Sequence, residues 1–209
     1  MLSYPGGTEL EASTVGYSFT RNFFSDLGRT RAINGHLNLA SCGLFITAMC
    51  IGAASLILFF LAFAESLAGK RRAHQLSRLA TVLGFFTAIC FTGVAATPVN
   101  RMLHPHVIFV NWAFRMFLAA VVINLIAAII TPELPRRISV VFAIFAVLLV
   151  GFVLLLSFGK YSSEAWMMVQ TIGQKIIVYS AILTVLIGSM FMRTHLVTPR
   201  MNKVPASAT

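Results

Sequence analysis

Charged residues are scarce in this chain, and acidic ones are the scarcest. Asp, Glu, Lys and Arg make up 11% of the 209 residues, the hydrophobic set makes up 58%, and the mean hydropathy is +0.86. A soluble domain carries roughly a quarter charged residues, so this chain could not cover a globular surface with polar groups. The composition predicts a protein that is solvated by hydrocarbon, and the length favours one bundle over two domains.

The chain also lacks the patterns that mark common soluble activities. Its three cysteines match no zinc or disulfide spacing and lie in apolar runs, where a small hydrophobe needs no function. No Walker sequence, nucleotide-binding glycine pattern or Gly-x-Ser-x-Gly is present. The net charge of +10 comes from short basic clusters between apolar runs. A phosphate backbone needs a continuous basic stripe, so nucleic acid is not an expected partner.

Five long apolar runs are present, and each is long enough to cross a bilayer as a helix. The predicted spans are residues 37–63, 79–97, 107–131, 138–158 and 166–192. The sequence therefore predicts an all-α, polytopic transmembrane helix bundle over residues 37–192. It is preceded by a polar loop, residues 1–36, which contains a Ser-Asp-Leu-Gly segment, and it is followed by a basic tail, residues 193–209.

The distribution of Lys and Arg predicts the orientation of the chain in a cell membrane. The loops 65–78 and 132–137 and the tail together hold nine of these residues, and the opposite side holds five. The bias predicts a cytoplasmic C-terminus and an extracytoplasmic segment 1–36. That segment would have to cross the membrane with no hydrophobic signal before it. We therefore expect a missing upstream helix and six spans in the native protein.

Two cations interrupt the apolar runs. A charge inside a span is costly, so each of them is a candidate functional residue. Arg115 and Lys175 lie eight and nine residues into the third and fifth spans, roughly 12 Å deep at about 1.5 Å per residue. Asn111 shares a helical face with Arg115, and Gln174 flanks Lys175. We expect these two polar stripes to face each other inside the bundle.

No acidic residue lies within any span, so the counter-ion has to come from a loop. Asp26 lies among apolar residues that suggest a loop dipping back onto the helix ends, where it would pair with Arg115 or Lys175. In one interpretation this pair simply pins the loop. In another, the two cations bind an anionic ligand such as a membrane lipid phosphate, and Ser25 and Asp26 complete the pocket. A third is that Lys175 extends to the outer interface.

Two other functions are open from the sequence. His36, His104 and His106 on the outer side, with Asp26, could hold a zinc ion and hydrolyse a lipid or acyl group, although a His-x-His spacing is not a helical metal pair. Without zinc, no cofactor is expected. Arg115 and Lys175 could instead pass an anion in a small carrier, which the apolar fourth span argues against.

A ridge of small residues lies along the fifth span at Ser180, Thr184 and Gly188. Small residues spaced by four allow a neighbouring helix to approach closely. The ridge would suit packing within the bundle, self-association or a helical membrane partner.

The segment from Tyr17 to Gly28, Tyr-Ser-Phe-Thr-Arg-Asn-Phe-Phe-Ser-Asp-Leu-Gly, resembles the domain-of-unknown-function 998 family of bacterial and archaeal membrane proteins. The helix spacing and the outer His104-Pro105-His106 loop agree along nearly the whole chain. The resemblance implies six helices with the Ser-Asp-Leu-Gly loop after the first, which is absent here. It also implies distant similarity to eukaryotic autophagy-modulator and GPI-remodelling membrane proteins. It implies architecture rather than chemistry.

Overall fold

The described residues of the protein form a bundle of five long helices with a small folded cap on one end. A computed structural model describes residues 1–158 and 163–201, with side chains through Arg193. The helices are α1 Leu39–Ser66, α2 Arg71–Ala96, α3 Leu103–Ile129, α4 Arg136–Phe158 and α5 Glu164–Met201. All five are long and apolar enough to cross a membrane, so the predicted all-α class and the five spans are confirmed. Lys160 and residues 202–209, which contributed to the charge bias, lie outside the described residues.

Phenylalanine side chains from α1, α3 and α4 fill the centre of the bundle. Each helix packs against the next in sequence, and α5 also packs against α1. Most of the ring pairs meet edge to face, with centroids 4.7 Å apart for Phe114 and Phe152 and 5.2 Å apart for Phe63 and Phe142. Each such pair contributes about 0.5–1.5 kcal/mol beyond the burial of its area. These rings fix how the helices pack.

Glycines let two of these rings approach a neighbouring helix closely. A Cβ on Gly84 of α2 would lie 2.4 Å from the Phe60 ring, and one on Gly188 of α5 would lie 2.7 Å from the Phe59 ring. Gly188 belongs to the predicted ridge of small residues. At this position the helix that approaches the ridge is α1 of the same chain.

Four helices begin before the residue that the apolar runs predict, and the difference is largest for α2 and α3. α2 begins at Arg71 rather than at residue 79, because its basic first turns extend the helix beyond its apolar part and Arg is a good helix former. α3 begins at Leu103 rather than at residue 107. Pro105 lies in the first turn of α3, where its missing N–H costs no hydrogen bond. The His-Pro-His segment is therefore helical and not a loop.

Residues 1–38 form a folded unit, which we call the cap. It contains a short 3-10 helix, Phe24–Gly28, and two isolated antiparallel bridges, Gly6–Val15 and Arg31–Leu37. It also has a small hydrophobic core of its own, made of Tyr4, Leu27 and Ala32. The cap packs on the ends of α1 and α5, as the prediction of a loop dipping onto the helices requires.

Candidate functional site

Asp26 lies at the centre of the cap with 2% of its surface exposed. Its carboxylate accepts hydrogen bonds from the Phe23 backbone N–H at 2.8 Å, from Asn22 Nδ2 at 3.2 Å and from Arg29 Nε at 2.9 Å. The ion pair with Arg29 is local because residues three apart in a helical turn lie on one face. The direct ion pair of Asp26 is therefore with Arg29 and not with Arg115 or Lys175 as we expected, although the negative charge of Asp26 is near enough to act on Lys175.

Lys175 is sealed beneath the cap and is only 1% exposed. Its Nζ donates to the carbonyl oxygens of Asn22 at 2.5 Å and Thr171 at 3.2 Å. Three rings of the cap surround the ammonium group at 5.2–5.4 Å from their centroids: Tyr17, Phe19 and Phe24. Aromatic faces attract a cation, most strongly where water is excluded. Two carbonyls and three rings thus contact this charge directly, and the carboxylate of Asp26 stabilises it from a greater distance.

Other polar side chains of α5 bind the cap as well. Gln174 Oε1 accepts a hydrogen bond from the Phe24 backbone N–H at 2.7 Å, and the Thr171 hydroxyl donates to the Thr20 carbonyl. Lys175 and Gln174 thus hold the N-terminal segment on α5, but through its backbone groups and not through the expected ion pair with Asp26.

α1 holds the same segment from its other side. Asn38 Nδ2 donates to the carbonyls of Leu27 at 3.1 Å and Arg29 at 2.8 Å, and the Ser41 hydroxyl donates to Leu27 at 3.1 Å. A Cβ on Gly28 would lie 2.6 Å from the Phe45 ring, so the glycine of the Ser-Asp-Leu-Gly segment allows this close approach. Ser25 lies half-buried in the same 3-10 helix. We did not predict the contacts of Asn38 and Ser41 with the cap. Both are polar residues at the start of an apolar span, and this feature of the sequence could have indicated them.

The pKa of Tyr17 is raised, chiefly because the phenol is buried and also because the negative charge of Asp26 is near. Its hydroxyl donates to the Asn22 carbonyl at 3.1 Å, the same oxygen that accepts from Lys175. Burial likewise raises the pKa of Tyr4. Both tyrosines therefore stay neutral while the cap is folded.

Arg115 lies away from the cap, between α3 and α4. Its guanidinium donates to Asn111 Oδ1 at 2.6 Å, to the Asn111 carbonyl at 3.2 Å and to the Ser157 hydroxyl at 3.0 Å. Asn111 is one turn nearer the start of α3, so the side chain extends toward the cap end of the bundle. Ser157 lies one residue before the end of α4, so the guanidinium is level with the last turn of that helix.

The two cations therefore belong to separate arrangements. Within the described part of the chain, the hydrogen-bond partners of Lys175 lie in the cap and α5, and those of Arg115 lie in α3 and α4. The prediction that the two polar stripes face each other was wrong. The prediction rested on the equal depth of the two stripes, but stripes face each other only on neighbouring helices. α3 packs on α2 and α4, whereas α5 packs on α4 and α1.

The three histidines of the zinc hypothesis are not assembled. His36 and His104 are exposed, whereas His106 is buried and its Nδ1 lies 2.7 Å from the Thr97 carbonyl. His104 and His106 are two residues apart on α3, and such side chains do not share a face. Among residues 1–158 and 163–193, no three His, Cys, Asp or Glu side chains lie close enough to hold a metal.

Comparison with protein families, curated protein sequences and solved structures finds no match for this chain.

Proposed function

We propose that this polytopic membrane protein binds an anionic lipid through Arg115, with Asn111 and Ser157 completing the headgroup site. The observation that carries the proposal is the guanidinium of Arg115, which lies on a membrane-spanning helix and has only neutral partners among the described residues. None of the ion pairs formed in the described part of the chain involves Arg115.

Charge balance favours an anion at this position. Arginine keeps its charge at any physiological pH, and a charge within a span requires compensation. Asn111 and Ser157 supply oxygen dipoles but no negative charge. A guanidinium has five N–H donors in a planar fork that matches a phosphate, so donors remain for a ligand. A lipid phosphate would supply the missing charge.

The position of the group favours a lipid over a soluble anion. Arg115 is half-buried, Ser157 is exposed on the outside of the bundle, and Trp112 beside them is 53% exposed. Tryptophan is enriched where the hydrocarbon meets the headgroups. A guanidinium level with the end of α4 and open to the side of the bundle lies where a phospholipid headgroup would be.

Native mass spectrometry with dioleoylphosphatidylglycerol tests the proposal. Arg115→Gln should lose one bound phosphatidylglycerol relative to the wild type, and Arg115→Lys should weaken it, because a point charge replaces the fork. Arg101→Gln is the matched control, since Arg101 is exposed at the same end and donates to Thr30 Oγ1. Equal lipid counts in Arg115→Gln and Arg101→Gln would contradict the proposal.

The orientation and the family are parts of the same proposal. We propose that the cap faces away from the cytoplasm, because Lys and Arg concentrate at the opposite end of the bundle. Labelling of Thr14→Cys by an impermeant maleimide in intact cells would support this. We also propose that the chain shares the architecture of the domain-of-unknown-function 998 family. An anion carrier that used Lys175 would first have to lift the cap from this side chain.

A further inference from the structure

A groove of about 500 Å³ lies along the contact of α1 with α5, in the half of the bundle away from the cap. Small residues on both helices leave this space open, among them Ser55 and Ala62 of α1 and Ser189 of α5. The other lining residues are Leu58, Phe59, Val185, Met192 and Arg193. Binding sites for small molecules have roughly 300–1,000 Å³, so the groove is large enough for a ligand.

The groove runs from the middle of the bundle to its end. Ser55 lies 16 residues after the start of α1, and Ala62 lies four residues before its end at Ser66. These two positions are about 10 Å apart along the helix at 1.5 Å per residue. Arg193 directly follows the apolar run of α5, residues 166–192. The groove is therefore mainly apolar at mid-membrane depth and ends beside a cation at the surface. A phospholipid has the same arrangement, with an apolar acyl chain at mid-membrane depth and a charged headgroup at the surface.

Charge decides the class of headgroup. The end of the bundle opposite the cap, which we call the basic end, carries seven cations and two acids in the described part of the chain. The cations are Lys70, Arg71, Arg72, Arg78, Arg136, Arg137 and Arg193, and the acids are Glu65 and Glu133. Lys70 pairs with Glu133, whereas Arg193 is exposed and forms none of the ion pairs seen among the described residues. Basic pockets between membrane helices on such a surface attract anionic lipids.

We propose that this groove binds one acyl chain of an anionic phospholipid from the leaflet at the basic end, with the phosphate on Arg193. It is a second lipid site, independent of the one at Arg115, at the opposite end of the bundle.

Blocking the groove provides the main test, with phosphatidylglycerol as the probe and native mass spectrometry as the measurement. Ala62→Trp should lose one bound lipid, because the indole would occupy the groove. Ser189→Trp should do the same from α5, which keeps the test valid if either variant folds poorly. Ala54→Trp is the control, since Ala54 is exposed on α1 but does not line the groove. Unchanged lipid counts in both blocked variants would overturn the proposal.

Arg193→Gln tests the headgroup contact separately. A cation near the membrane surface contributes about 1 kcal/mol, so affinity for phosphatidylglycerol should fall about fivefold while phosphatidylcholine is unaffected. Equal affinity of the wild type for the two lipids would overturn the assignment to anionic lipid. A wild-type dimer that Ala62→Trp converts to a monomer would also overturn it, because the groove would then be filled by a second copy. Arg115→Gln should leave this site intact, so the two lipid sites can fail separately.

Discussion

The buried carboxylate of Asp26 joins several parts of the cap, so Asp26→Asn offers a sharp test. The carboxylate is buried and accepts from one backbone N–H, one amide and one guanidinium. Asparagine has nearly the same shape but replaces one acceptor oxygen with an NH₂ group. That group would face either Arg29 or the donors of Phe23 and Asn22, and the charge that balances Arg29 would be lost.

The expected cost follows from these contacts. A hydrogen bond to a charged group contributes about 1.5–3 kcal/mol, and a buried donor left without an acceptor costs about 1–3 kcal/mol more. The Arg29 side chain is 17% exposed, so water compensates part of the loss. We expect the cap to be destabilised by about 3 kcal/mol, which is roughly a 150-fold increase in the population of the undocked cap at 1.4 kcal/mol per tenfold.

The thiol of Cys42 reports cap docking directly. It lies in α1 under the cap, is 7% exposed and donates to the Gly28 carbonyl at 3.3 Å. With Cys50 and Cys90 replaced by alanine, the rate of labelling by a maleimide should follow the population of the undocked cap. Asp26→Asn should raise that rate by about two orders of magnitude if opening is fast relative to labelling.

Two controls make the outcome decisive. Glu9→Gln removes an exposed partner of the same Arg29, which contributes at most about 1 kcal/mol, so it should change the rate by less than about fivefold. A cysteine placed at Ala120, which is buried in the bundle core, should remain protected in every variant. If Asp26→Asn and Glu9→Gln label at the same rate, the proposed role of Asp26 is refuted.

Three further predictions concern single contacts. Gln174→Ala leaves the Phe24 N–H without its acceptor and should raise labelling in the same assay about tenfold, from a loss of about 1–2 kcal/mol. Because folding raises the pKa of Tyr17, this residue stabilises the folded cap fully below pH 10.0, and the stabilisation is lost as the pH rises above that value. Hydrogen exchange should therefore show the cap opening at alkaline pH, and the opening should be smaller in Tyr17→Phe. A hydrogen bond from Lys70 lowers the pKa of Glu133 below 4.5, so the stabilisation is present at neutral pH and is lost in acid; the difference in melting temperature between wild type and Glu133→Gln should vanish there.

The membrane-spanning architecture could be predicted because long apolar runs have few alternatives to helices in a bilayer. Helix starts were less accurate, since the turn at Arg71 is helical without being apolar. Arg115 and Lys175 could be singled out because charged groups are costly within a span, and Asp26 could be singled out because its neighbours are apolar.

The pairing of those residues was not predictable from spacing. Depth along a helix is given by counting residues, but which helices are neighbours depends on packing such as the contact of Gly84 with Phe60. Asp26 pairs with Arg29, which is only three residues away. Closing such a short loop costs less chain entropy than bringing a distant cation to the carboxylate. Carbonyl oxygens and rings around Lys175 could not be foreseen, because every residue has a carbonyl group.

The most direct test of lipid binding is a structure of the protein in a bilayer that contains phosphatidylglycerol. The proposal predicts a phosphate oxygen about 2.7–2.9 Å from a guanidinium nitrogen of Arg115, the distance of a charge-assisted hydrogen bond. Asn111 and Ser157 should keep the contacts that they make now. A guanidinium bonded only to water, or to a carboxylate of a second copy, would contradict the proposal.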